Sequence, residues 1–139
     1  MAVPIGMVCM PPKAAKRRVL VIDDDKSVVE LLSSFLREGG YEVLFALDPV
    51  QGFMAAQKQL PDVVLLDVAM PAGGGVPLLK RLTASSKLRR VPVIVITAVT
   101  DPGLEPEMKE AGARAFLRKP LDRQTILSAV GQVLAPPAA

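Results

Sequence analysis

The chain contains no histidine and no tryptophan, a single cysteine and few aromatic residues. Without histidine it has no imidazole to serve as a general base, a metal ligand or a phosphocarrier. Cys9 alone permits no intrachain disulfide, and a cytoplasmic setting is the simpler expectation. No apolar run approaches the ~20 residues that span a bilayer, so no membrane association is expected. The opening MAVPIGMVCMPPKAAKRR puts its basic residues after its apolar ones, the reverse of a secretory signal. Neither a helix-turn-helix nor a zinc-ligand spacing is present, and no aromatics interleave the basic clusters. Formal net charge is +3. Much of that excess sits in Lys13, Lys16, Arg17 and Arg18 and in Lys87, Arg89 and Arg90. These clusters read as solvated loops, and no direct nucleic-acid binding is expected.

What the chain does have is aliphatic residues. Half of its 139 residues are hydrophobic, which is enough for one domain with a core of Val, Leu, Ile and Ala. Five apolar runs, 19–22, 41–46, 63–66, 93–97 and 115–117, alternate with helix-like segments at 26–38, 49–59, 76–85, 103–111 and 122–134. Continuous Val/Ile/Leu runs fit strands buried on both faces. A strict strand–helix alternation predicts an α/β fold: a doubly wound, parallel five-stranded sheet in the order 2-1-3-4-5, flavodoxin-like. Asp25, Asp48, Asp101 and Asp122 each stand where a helix should begin, two of them before proline, and Gly39-Gly40 should end the first helix. The fourth helix is expected to be short or late, because Pro102, Gly103 and Pro106 crowd its start. Residues 1–16 read as a flexible leader, 17–135 as the domain and 136–139 as a tail. No output domain is visible, as in a stand-alone unit or one excised from a longer protein.

Acids stand where core strands run out. VLVIDDD leaves Asp23, Asp24 and Asp25 after the first strand, and VVLLDVAMP leaves Asp67 after the third. In the 2-1-3-4-5 order these strands are neighbours, so two or three carboxylates meet at the switch point. Clustered carboxylates must share a proton or hold a cation. Oxygen ligands without imidazole or thiolate favour a hard ion, and Mg²⁺ fits best. Thr97 ends the fourth strand and Lys119 follows the fifth, adding a hydroxyl and an ammonium at the same edge. This set suits phosphoryl transfer to a carboxylate, with Asp67 as nucleophile and Lys119 and Thr97 on the remaining oxygens. Asp25 reads instead as a helix cap.

Asp23-Asp24 after VLVI, Asp67 in LLDVAMP, Gly75, Thr97-Ala98 and Lys119-Pro120 resemble a response-regulator receiver domain of two-component signalling, over roughly residues 17 to 135. The resemblance implies that Asp67 accepts a phosphoryl group from a sensor histidine kinase or a histidine phosphotransfer protein. It implies that Asp23, Asp24, Asp67 and the backbone carbonyl of Ala69 hold Mg²⁺, that Lys119 pairs with the phosphoryl group, and that its bond to Pro120 is cis. Thr97 would move toward the phosphoryl group. Phe116 matches the aromatic that follows it inward, and equally reads as core. A downstream target protein would be contacted through helix 4, strand 5 and helix 5, and a phosphorylation-dependent homodimer is compatible with the resemblance. Such a chain is no enzyme beyond its own phosphotransfer and autodephosphorylation.

The sequence departs from that pattern in three places. Ala72-Gly73-Gly74-Gly75 replaces the family's Gly-Met-Asp-Gly, DPGLEPEMKEAG makes the helix-4 region rich in proline, and Ala69 and Val99 are apolar where the family tunes phosphate loss. A haloacid-dehalogenase-type hydrolase would need an acid at Ala69, and a flavodoxin would find Asp23-Asp24-Asp25 repelling its phosphate. A receiver-fold binding module that is not phosphorylated in the cell stays as the alternative.

Overall fold

The sheet follows from where the β-branched and aliphatic residues lie. In the computed structural model, which describes residues 16–70 and 74–135, five strands alternate with five helices. They are β1 (Arg18–Ile22), α1 (Lys26–Glu38), β2 (Glu42–Ala46), α2 (Pro49–Gln59), β3 (Val63–Asp67), α3 (Gly75–Ala84), β4 (Val93–Thr97), α4 (Leu104–Glu110), β5 (Ala115–Arg118) and α5 (Arg123–Leu134). All strand pairs are parallel and the order is β2-β1-β3-β4-β5, as the alternation predicts. The leader to residue 15, Ala72-Gly73 and the 136–139 tail lie outside the described residues.

Strand periodicity divides the core in two. Leu20, Ile22, Val64, Leu66, Val93 and Val95 pack with Ala56, Leu78, Leu82 and Met108 of α2, α3 and α4. Val19, Val21, Val63, Leu65, Ile94 and Ile96 face the other way, onto Val29, Leu32 and Leu36 of α1 and Ile126 and Val130 of α5. β3 and β4 are buried at every position, so each aliphatic side chain there contributes about 1.5–3 kcal/mol.

Helix starts follow the predicted chemistry with one correction. The carboxylates of Asp25, Asp48 and Asp122 accept the N–H groups of Ser27, Gln51 and Thr125 at 2.9, 2.8 and 2.8 Å. That bond holds the Asp122 carboxyl below its ordinary range. Asp101 does not cap α4. Its carboxylate accepts the Gly103 N–H at 2.9 Å and closes a turn, and the helix begins only at Leu104, with Gly103 at the cap. Pro106 is tolerated because a first-turn residue has no intrahelical acceptor for its N–H. The short α4 is braced by Glu105 and Lys109, 3.1 Å apart one turn on. α1 ends at Gly39, and Gly40 takes the positive φ of +92° that reverses the chain into β2.

Gly75 fixes where α3 meets the sheet. A Cβ at this position would stand 2.3 Å from Val68 Cα and 2.8 Å from the Asp67 carbonyl oxygen, so only glycine lets the helix start against the end of β3. In α5 the space around Gly131 is open. Urea unfolding should therefore show Gly75→Ala destabilised by about 1–3 kcal/mol, whereas Gly131→Ala should be stabilised by up to about 1 kcal/mol.

Candidate functional site

The carboxyl ends of β1, β3, β4 and β5 converge on one crevice. Asp23 follows β1. Its backbone N–H donates to the Ala46 carbonyl at 3.2 Å, and its Oδ1 accepts the Asp25 N–H at 2.9 Å. Asp67 closes β3, and its Oδ1 accepts the Ala69 N–H at 2.8 Å. Each carboxylate is thus aimed by the turn that follows it. Lys119 lies just past β5, its N–H donating to the Thr97 carbonyl at 2.8 Å, and its bond to Pro120 is cis. From there its ammonium donates to Asp23 Oδ2 at 2.9 Å and to Asp67 Oδ2 at 3.2 Å.

Asp23 and Thr97 are 0% exposed and Asp67 5%, while Asp24 faces solvent. Carboxylate oxygens of Asp23, Asp24 and Asp67 all lie within 4.8 Å of one another. Burial pushes the Asp67 carboxyl above its ordinary range, and the Asp23 charge adds to this. The Ala69 N–H and Lys119 pull the other way and do not prevail. Burial also opposes the Lys119 charge, but its bond to Asp23, and then the charges of Asp23 and Asp67, hold the ammonium above its ordinary value.

The donor set fits a hard divalent ion. Three carboxylates face one ammonium, a formal charge of −2, and neither imidazole nor thiolate is at hand. Asp23, Asp24 and Asp67 would hold Mg²⁺.

Thr97 is brought to the same edge, but its hydroxyl accepts the Val99 N–H at 3.1 Å within its own loop. Phe116 is half-buried against the α2–α4 side of the core. Sequence reasoning missed two features. One is an apolar recess of about 380 Å³ beside Lys119, between α1 and the segment after β5, lined by Val28, Leu31, Leu32, Ala98, Pro120 and Leu121. The other is Arg118, whose guanidinium lies 5.2 Å over the Phe116 ring and donates to the Val99 carbonyl. Strand parity carried the signal for Arg118, since it lies two residues from Phe116 and opposite Thr97.

A parallel sheet of this order with an acidic crevice at its switch point defines a flavodoxin-like fold of the signalling type. The family model of the response regulator receiver domain matches residues 19–131, and the chain belongs to that family. Protein PilH of Pseudomonas aeruginosa is 34% identical over 118 residues, covering 85% of this chain and 98% of that protein. Response regulator PleD of Caulobacter vibrioides is 39% identical over 105 residues, 76% of this chain but only 23% of PleD. Among solved structures, a putative response regulator from Chloroflexus aurantiacus superimposes with a TM-score of 0.83 at 33% identity, covering 88% of this chain and all of that one. Chemotaxis protein CheY4 of Vibrio cholerae does so with 0.81 at 34%, covering 86% and 100%. The chain is a receiver domain of two-component signalling, a signalling module rather than a classical enzyme. Among the described residues no helix is long and apolar enough to cross a membrane.

Removing the ammonium exposes the carboxylate repulsion. In metal-free buffer the Asp67 carboxyl of Lys119→Met should titrate at a still higher pH than in the parent, read by ¹³C NMR of its side-chain carbon. The sign for stability follows from linkage. A carboxyl raised on folding contributes stability below its ordinary pKa and loses it as pH rises through the folded value, so the variant's metal-free stability should decline more steeply toward neutral pH.

Proposed function

We propose that Asp67 is the phosphoacceptor of this receiver, taking a phosphoryl group from the phosphohistidine of a sensor kinase or a histidine phosphotransfer protein in the cytoplasm. One observation carries this reading: a nearly buried carboxylate at the end of β3 shares a single ammonium with Asp23, while Asp24 completes the acidic cluster. Asp67 suits the nucleophile's part better than Asp23. Asp23 is fully buried with both oxygens engaged at 2.9 Å, whereas Asp67 keeps some solvent access and the longer bond to Lys119. Residues 17–135 form the functional unit.

In the transfer, an Asp67 oxygen forms its bond to phosphorus as the phosphorus–nitrogen bond of the donor breaks. The electron pair leaves on the imidazole nitrogen, which takes up a proton. Asp23, Asp24, the Asp67 carboxylate and the Ala69 carbonyl would hold Mg²⁺, and the ion would supply positive charge to offset that of the transferring group. Lys119 exchanges its Asp67 contact for a phosphoryl oxygen. Thr97 releases the Val99 N–H and turns its hydroxyl toward the same group. The protein's part is positioning and fixed charge, with no covalent chemistry beyond the acyl phosphate. The donor protein approaches over the apolar recess beside Lys119, where Leu31 is 49% exposed, and a loop shift behind Thr97 reaches the α4–β5–α5 face that meets the target or a second copy.

Incubation with acetyl phosphate and Mg²⁺, followed by intact-mass measurement, should give a single phosphoryl adduct that is lost in Asp67→Asn and without Mg²⁺. A folded, Mg²⁺-binding chain that acetyl phosphate and a phosphorylated kinase both fail to label would instead be a binding module. The adduct should also be slow to hydrolyse. Ala69 and Val99 are exposed beside the site, Val99 40%, and neither side chain can hold a water in line with the phosphorus. A half-life of minutes or longer is expected in Mg²⁺ without a phosphatase, and one of seconds would contradict this account of the loops.

A further inference from the structure

The β4–α4 loop is held from two sides. Within it, the Val99 N–H donates to Thr97 Oγ1 at 3.1 Å, closing a turn over 97–99. From outside, Arg118 donates to the carbonyl of the same Val99. Register explains the reach. Thr97 pairs with Arg118 and Val95 with Phe116 across β4 and β5. Val95 and Phe116 both pack toward the α2–α4 core, so by parity Thr97 and Arg118 point to that side too. The guanidinium then lies 5.2 Å over the Phe116 ring while its fork meets the carbonyl. Ring, guanidinium, Val99 and the Thr97 hydroxyl form one continuous chain of contacts.

Thr97 has no access to solvent, and its hydroxyl oxygen accepts the Val99 N–H, which fixes its rotamer while leaving its own proton to donate. Turning that hydroxyl toward a phosphoryl group on the adjacent strand β3 breaks this bond and opens the 97–99 turn. Opening displaces the Val99 carbonyl, and Arg118 resists that displacement. We propose that Arg118 is a positioning residue that latches the β4–α4 loop in its resting form and so sets how readily Thr97 becomes available. This rests on the phosphoacceptor reading of Asp67. The planar guanidinium suits the role because it can stack on the ring and donate at its edge together, whereas a lysine ammonium reaches a carbonyl as a point donor without that stacking.

Two measurements separate the latch from the phosphoacceptor reading. Amide hydrogen exchange of the unmodified protein needs no phosphoryl chemistry. In Arg118→Ala the Val99 amide should exchange roughly threefold to tenfold faster, the scale of one exposed charge-assisted bond plus a cation–π contact, with Val64 and Leu65 in β3 unchanged. Arg118→Lys, which can still meet the carbonyl, should fall between parent and alanine variant. Beryllofluoride with Mg²⁺, a mimic of the phosphoryl group, should bind Arg118→Ala tighter by the same factor, because less of the binding is spent on opening the loop. Unchanged Val99 exchange overturns the latch whatever the chemistry at Asp67. Faster exchange with unchanged or weaker beryllofluoride binding overturns its link to Thr97. If beryllofluoride and acetyl phosphate both fail on the parent, it is the phosphoacceptor reading that fails, and the exchange result stands separately.

Discussion

One ammonium held between two buried carboxylates is the contact on which the site depends. Asp23 and Asp67 end neighbouring strands and would repel each other in a medium that screens poorly. Lys119 reaches both. It leaves the cluster with a formal charge of −2, anionic enough to attract a divalent cation. The same burial that raises the Asp67 carboxyl confines its charge where a few fixed partners decide its chemistry.

The sheet serves that contact. With β1 and β3 adjacent at the switch point, the two acids meet without any long loop to carry them, and β4 and β5 extend the same edge with Thr97 and Lys119. Each side chain is aimed by the first backbone N–H groups beyond its strand: Asp25 for Asp23, Ala69 for Asp67, Val99 for Thr97. Gly75 lets α3 press against the Asp67–Val68 peptide, so the Asp67 backbone is backed by a helix end. Acids and ammonium meet in buried surroundings, whereas the β4–α4 loop is tied at Val99 by one part-buried bond to Thr97 and one exposed bond from Arg118.

This division accords with a signalling module. The proposed covalent change at Asp67 would alter local charge beside a loop held by few restraints. The short, proline-bearing α4, with a glycine rather than an acid at its cap, stands next to that loop. A helix of this length, braced by one exposed ion pair, costs little to shift.

The sequence by itself determined the alternation of strands and helices, the parallel sheet, the acids at strand ends and three of the four Asp caps. Each of these is a local or periodic property: apolar runs of strand length, a carboxylate before a first helical turn, glycines after a last one. It misread Asp101, because whether an Asp-Pro opens a helix or a turn depends on where the next residues can pack, and here the turn to Gly103 won. Tertiary structure alone decided the rest. That Lys119 touches both Asp23 and Asp67, that a recess opens beside it, and that Arg118 bridges Phe116 to the Val99 carbonyl all join residues far apart in the chain. Their pairing is set by strand register and helix packing, which arise only when the whole core closes.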